Sequence, residues 1–154
     1  MFMSMREHIL QAIDAAGRII GVSREIHDHP ELRFQEHFAA KTLTGALESF
    51  GLAAEQPIGS LDTAFRAEFG REAKPKVAIL AEYDALPDGH ACGHDLSAGA
   101  ALGATVGLAA VRDQLPGHEE GKNIHFDRRN LPTEDTADLT AWEFVRACVD
   151  LIVD

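Results

Sequence analysis

A chain of 154 residues, 45% apolar and 25% charged, is long enough for one domain with a core of its own and has the composition of an ordinary globular protein. Its formal net charge of −11 opposes a polyanionic partner, and the small basic cluster at Arg128 and Arg129 does not offset that field, so nucleic acid is not an expected ligand. No apolar run is long enough to span a bilayer, which gives no membrane partner, and the start lacks the basic and apolar segments of a secretory leader. The two cysteines, Cys92 and Cys148, are far apart and form no disulfide framework, which agrees with a reducing, cytoplasmic setting.

Taken in chain order, Ile9, Ile13, Ala16, Ile20 and Ile26 recur near helical period and predict one amphipathic helix over residues 4–27. Pro30 disfavours helical dihedrals at His29, so the helix stops there or just before. A second helix is expected over 36–50, with Leu43, Leu47 and Phe50 on one face and Gly51 as its stop. In 63–69, Phe65, Ala67 and Phe69 alternate with Arg66 and Glu68, the pattern of a half-exposed strand. The run from Val77 to Ala81 is apolar on both faces and predicts a central strand covered on both sides. Residues 96–111, rich in Ala and Gly, read as a buried helix packed close against a sheet, with Asp95 or Ser97 near its N-cap. From 112 to 137 no periodic apolar set appears and a loop is expected. Leu139, Trp142, Val145, Val149 and Ile152 then form a helical stripe that Asp138 can cap.

The chemistry concentrates in "GHACGHD", residues 89–95, between the apolar strand and the Ala/Gly helix. Ligands in open α/β sheets sit outside the carboxyl ends of the strands, which is where this loop falls. Cys92 and His94 are two apart, so in an extended segment they point the same way and can reach one ion. Thiolate with imidazole favours zinc, and added carboxylates also admit manganese. Asp84, at the strand end, is placed to orient a ligand. Two other readings stay open: Cys92 as a small buried hydrophobe among polar loop groups, or Cys92 as a nucleophile with His90 or His94 as its base.

The segments "SREIHDHPELRFQEHFAAKTLTGALESFG", "LDTAFRAEFG" and "VAILAEYDALPDGHACGHDLSAGAALGA", in that order, resemble the N-terminal part of the metal-dependent aminoacylase/carboxypeptidase family of amidohydrolases. The similarity runs from about Ile9 to Gly117 and is nearest the cysteine-ligand branch, with aminobenzoyl-glutamate hydrolases, indole-acetyl-amino-acid hydrolases and aminoacylase-like dipeptidases. It implies that Cys92 and His94 bind a pair of divalent metals, zinc or manganese, and that Asp84 orients a ligand. Glu82 stands where other branches keep a histidine ligand. "HPEL", residues 29–32, is implied to be structural, a helix stop that shapes the floor of the site. The implied fold is α/β, a partial zinc-peptidase-like catalytic domain whose mixed sheet carries helices on both faces. The implied reaction is hydrolysis of the amide bond of an N-acyl amino acid or dipeptide.

Family members continue after "LPG" with a strand that ends in paired glutamates, a base and a ligand. Here "LPG" runs into "HEEGK", so the strand is expected to be missing. The resemblance then implies Glu119 as the base and Glu120 as a ligand, against an exposed charged turn as the alternative. The inserted dimerisation domain does not fit in this length. The tail "NIHFDRRNLPTEDTADLTAWEFVRACVDLIVD" is weakly similar to the family's end, which would make His125 the last ligand and imply an internal deletion; an unrelated or frame-shifted tail is the alternative. The expected organisation is a partial catalytic domain over 1–115, an irregular connection over 116–137 and a C-terminal helix over 138–154. Three functions follow: a metal-dependent amidohydrolase with reduced or no independent activity, a non-catalytic metal-binding or interaction module, and a cysteine-dependent hydrolase. An oligomer through surface bared by the missing segments is the expected assembly.

Overall fold

The computed structural model describes residues 3–15, 17–70, 73–114 and 122–127. Its first helix, α1 (Met5–Ala15), opens with a capping box: the Ser4 amide donates to Glu7 Oε2 at 2.6 Å and the Glu7 amide to Ser4 Oγ at 3.3 Å. A second helix, α2 (Arg18–Asp28), begins after Gly17. The single helix expected over 4–27 is thus two, because apolar periodicity continues across a residue that weakens a helix interior. The stop before Pro30 is as expected, with His29 as C-cap.

Helix α3 (His37–Ser49) lies inside the expected span, and Leu43 and Leu47 are fully buried. Gly51, at φ 78°, turns the chain after it. The Glu31 carboxylate caps this helix across seven and eight residues, accepting from the amides of Phe38 and Ala39 at 3.0 Å each. That contact gives part of the "HPEL" signature a structural task.

Four strands form a mixed sheet in the order β1-β2-β4-β3: β1 (Ala54–Glu55), β2 (Arg66–Gly70), β3 (Ala73–Leu80) and β4 (Lys122–Asp127). β4 runs antiparallel to β2 and parallel to β3. It lies where the sequence predicts a loop and a missing strand. Ile124 and Phe126 do alternate with Asn123, His125 and Asp127, but a strand of two apolar residues takes its stability from neighbours on both sides rather than from its own pattern.

Among the described strands β3 is at the sheet's edge. Ile79 and Ala81 are buried while Ala78 is exposed, so the doubly apolar run has one covered face among the described residues. Pro75, which has no N–H to give a ladder, falls where the β3/β4 register shifts between Ala73 and Lys76.

Helix α4 (His94–Ala110) packs on β3 and β4 from one side and on α1 and α2 from the other, which explains its apolarity all round. Its glycines serve the helices rather than the sheet. A methyl group at Gly99 would stand 2.9 Å from Ser23 Cβ, and one at Gly107 would stand 2.9 Å from Ile9 Cγ2. The cap is Gly93 in the left-handed region, not Asp95 or Ser97, and Asp95 occupies the first turn. Among the described residues, no helix is long and apolar enough to cross a membrane. The C-terminal stripe over 138–154 and Cys148 lie outside the described residues.

Candidate metal centre at the end of β3

Past Leu80 the chain stays extended, and strand alternation decides what the next four residues do. Ala81 and Tyr83 turn into the core; the Tyr83 hydroxyl donates to the Thr63 carbonyl at 2.6 Å and its ring stacks on Phe65. Glu82 and Asp84 therefore emerge on the opposite side. The Ala85 amide, donating to Glu31 O at 2.7 Å, fixes the strand end to the "HPEL" segment.

The loop that follows is a chain of tight turns. Leu86 and Gly89 exchange both backbone hydrogen bonds, the Gly93 amide donates to His90 O at 3.0 Å, and Gly93 at φ 76° swings the chain into α4. His94, the first residue of α4, is thereby carried back over Asp84.

His94 Nδ1 lies 3.0 Å from Asp84 Oδ1 and 3.1 Å from Asp84 O. Both partners are acceptors, so the ring must donate from Nδ1, and in the neutral imidazole the lone pair is on Nε2. Nε2 faces Glu82 Oε2 at 3.3 Å. Two acceptors this close repel each other unless a cation lies between them. Metal–ligand bonds of about 2.0–2.1 Å in a tetrahedron place neighbouring ligand atoms about 3.3–3.4 Å apart, so the pair fits a zinc-sized ion as well as a proton. Asp84 acts as the group that fixes ring orientation and tautomer.

Cys92 is an exposed free thiol, which removes the reading of it as a small buried hydrophobe. Among the described residues no three His, Cys, Asp or Glu side chains are gathered into a ready ligand set. His125 sits mid-strand in β4, its backbone in register with Glu68 and Ala78. Glu119 and Glu120 lie outside the described residues. β4 starts at Lys122, opposite Ala73, and seven residues of strand, roughly 23 Å, separate Ala73 from the Leu80 end that leads to Glu82.

Two further features escape sequence reasoning. Glu82 enters it only as a replacement, although its two-residue spacing from Asp84 on an extended segment places both carboxylates on one side. A second polar cluster backs the loop: Asp95, 5% exposed, meets His27 Nδ1 at 3.0 Å and faces His90 Nδ1 at 3.8 Å. The Ser23 hydroxyl donates to Asp95 O at 3.0 Å, and His90 Nε2 to Ile26 O at 3.0 Å. An open cleft of about 490 Å³ beside Phe50, Leu52, Val106 and Arg112 lies by the other end of α4, away from these side chains.

No protein-family model matches the chain. It is 35% identical over 127 residues to a p-aminobenzoyl-glutamate hydrolase subunit of Escherichia coli K12, covering 71% of this chain and 26% of that protein. It is 44% identical over 112 residues to Xaa-Arg dipeptidase of Mus musculus, covering 66% and 26%. The solved YXEP protein of Bacillus subtilis, described as a dinuclear metal binding peptidase from the M20 family, superposes with a TM-score of 0.64 at 29% identity, covering 90% of this chain and 40% of that one. Over this span the chain is similar to members of the M20 family. It covers about a quarter of the length of these curated M20 relatives. The M20 match agrees with the resemblance carried by "EYDALP" and "GHACGHD", and the mixed helix and strand architecture is that of the M20 catalytic domain over a partial region.

Proposed function

We propose that this chain supplies part of a divalent-metal centre for hydrolysis of amide bonds in N-acyl amino acids or dipeptides, in a cytoplasmic setting. The observation that carries the reading is His94, oriented by Asp84 through Nδ1 with Nε2 turned to Glu82 at 3.3 Å. Cys92, two residues away, and His94 would hold the ion, zinc or manganese, with Glu82 close by. When bound, such an ion polarises a carbonyl and lowers the pKa of its water.

The protein's own part is to hold His94 in the ligating tautomer, keep Cys92 within reach of solvent, and present carboxylate beside the imidazole. On the resemblance, Glu119 accepts the water proton, and Glu120 and His125 complete the ligand shell. A substitution tests the glutamate pair most directly. In Glu119→Gln hydrolysis should vanish while metal binding persists; retained hydrolysis passes the base role to another carboxylate, with Glu82 at 3.3 Å from His94 Nε2 the candidate.

The deciding experiment is elemental metal analysis of the purified chain together with hydrolysis of several N-acyl amino acids. Metal that co-purifies and is lost in Cys92→Ser and His94→Ala supports the reading. Activity lost to a thiol reagent but not to a chelator would favour a cysteine-dependent hydrolase instead. The absence of a ready three-residue ligand set among the described residues favours a second reading, a non-catalytic metal-binding or interaction module. Metal uptake without hydrolysis by the 154-residue chain is its signature. For the same reason this chain alone is expected to turn over N-acyl amino acids far more slowly than a full-length M20 relative.

A further inference from the structure

The loop bearing Cys92 and His94 is fastened to α2 at both of its ends. At one end the His90 ring, fully buried, bonds through Nε2 to the carbonyl of Ile26. At the other, Asp95 receives His27 on one carboxylate oxygen and turns the other toward His90, while its carbonyl accepts from Ser23. Cys92 and His94 lie between these two fastenings. A buried carboxylate is costly unless it is partnered; His27 meets one oxygen of Asp95, and the other has no hydrogen bond among the described residues.

Position on the helix gives the fastening its consequence. Successive residues of an α-helix point about 100° apart, so fixing Asp95 against α2 sets the direction in which His94 leaves the first turn. That direction is toward Asp84 and Glu82. First turns fray readily, because their amides have no intrahelical acceptor, and the Gly93 carbonyl alone holds the amides of Leu96 and Ser97, at 3.0 Å each.

We propose that Asp95, held on α2 by His27 at its carboxylate and by Ser23 at its carbonyl, is a positioning residue for the metal centre, holding the first turn of α4 in the rotation that presents His94 to the ion. This rests on the metal reading above, although Asp95 itself touches neither ion nor substrate. Its removal should weaken metal binding without deleting a ligand.

The test is a cadmium titration of the full chain, followed by the thiolate-to-metal absorption of Cys92, together with hydrogen exchange of the metal-free protein. Asp95→Ala should lower cadmium affinity about tenfold to a hundredfold, the range found when groups that orient ligands are removed. It should also speed exchange at the Leu96 and Ser97 amides. Asp95→Asn keeps an acceptor for His27 and gains a donor for His90, so it should restore affinity to within about threefold of the parent chain. Leu43→Ala, which opens a cavity in the remote core, should lower the Tm yet leave affinity and the exchange of those two amides unchanged where the chain is folded. An Asp95→Ala chain with parental affinity and parental exchange overturns the proposal. So does an Asp95→Asn chain as impaired as Asp95→Ala, or a Leu43→Ala chain that loses affinity equally. A parent chain that takes up no cadmium overturns the metal reading, and unchanged exchange in Asp95→Ala then overturns the clamp as well.

Discussion

Two polar groupings flank the end of β3, and they are built differently. On the β2 side, the Tyr83 hydroxyl donates to Thr63 O at 2.6 Å and the Thr63 hydroxyl to Glu36 Oε2 at 2.7 Å, with all three residues buried. Donor meets acceptor at each link. On the α2 side, the buried Nδ1 of His90 faces Asp95 Oδ1 at 3.8 Å, outside hydrogen-bond distance, and near it His94 Nε2 faces Glu82 Oε2 at 3.3 Å. Linked donors and acceptors rigidify the strand they hold, whereas acceptors turned toward one another gain only when a proton or other cation arrives. The first grouping aims the end of β3; the second uses that aim.

The sharpest way to break this contrast is to remove the proposed ligand. His94→Ala should cut zinc affinity by about a hundredfold or more while leaving the Tm close to that of the parent, measured by competition with a chelating indicator and by calorimetry. A large fall in Tm of the metal-free chain would mean that the α2-side grouping is as structural as its counterpart.

The next effect joins the two properties. A methyl group in Gly99→Ala would meet Ser23, whose hydroxyl holds Asp95, so the substitution should destabilise the chain by about 1–3 kcal/mol and also weaken metal binding, read from denaturant melts and metal titration on one sample. Tyr83→Phe should do the opposite of His94→Ala. Losing one buried hydrogen bond costs about 1–2 kcal/mol of stability, with metal affinity within about twofold of the parent if the strand end keeps its aim.

The smallest effect lies outside both groupings and serves as their control. The Ser4 amide and hydroxyl hold the Glu7 carboxyl below its ordinary value of 4.5. A depressed carboxylate contributes stability that is present above 4.5 and lost as pH falls through the lower folded value. Glu7→Gln should therefore be slightly less stable than the parent near neutrality, with the difference closing below pH 4.5 in acid melts, and with no change in metal binding.

The pairing of His94 with Asp84 is legible in the sequence because its information is local. Cys92, Asp84 and His94 lie within eleven residues, Pro30 announces the end of α2, and Gly93 marks the sharp entry to α4. What escapes depends on partners far along the chain. Ser23 and His27 are separated from Asp95 by about seventy residues and meet it only because Gly99 lets α2 and α4 approach, so neither end shows the clamp by itself. The break between α1 and α2 is hidden by apolar spacing that fits one helix as well as two. β4 reads as loop because Ile124 and Phe126 are few, although their alternation with polar neighbours is on view. The apolar run in β3 suggests cover on both faces, a property that depends on what else packs there and not on the run.

The interruption of β3 at Pro75 has a bearing on how the chain behaves at high concentration. Among the described strands the outer edge of β3 is unpaired, and such an edge is a template on which another molecule's strand can grow. Pro75 and the register shift beside it spoil that template along the first half of the strand, and the sequence sets a lysine on either side of the proline, at Lys74 and Lys76. The regular stretch that remains runs from Lys76 to Leu80, five residues long and leading to Glu82. An intruding strand would have to start beside the acidic end, where a second molecule of the same strongly negative chain is least welcome.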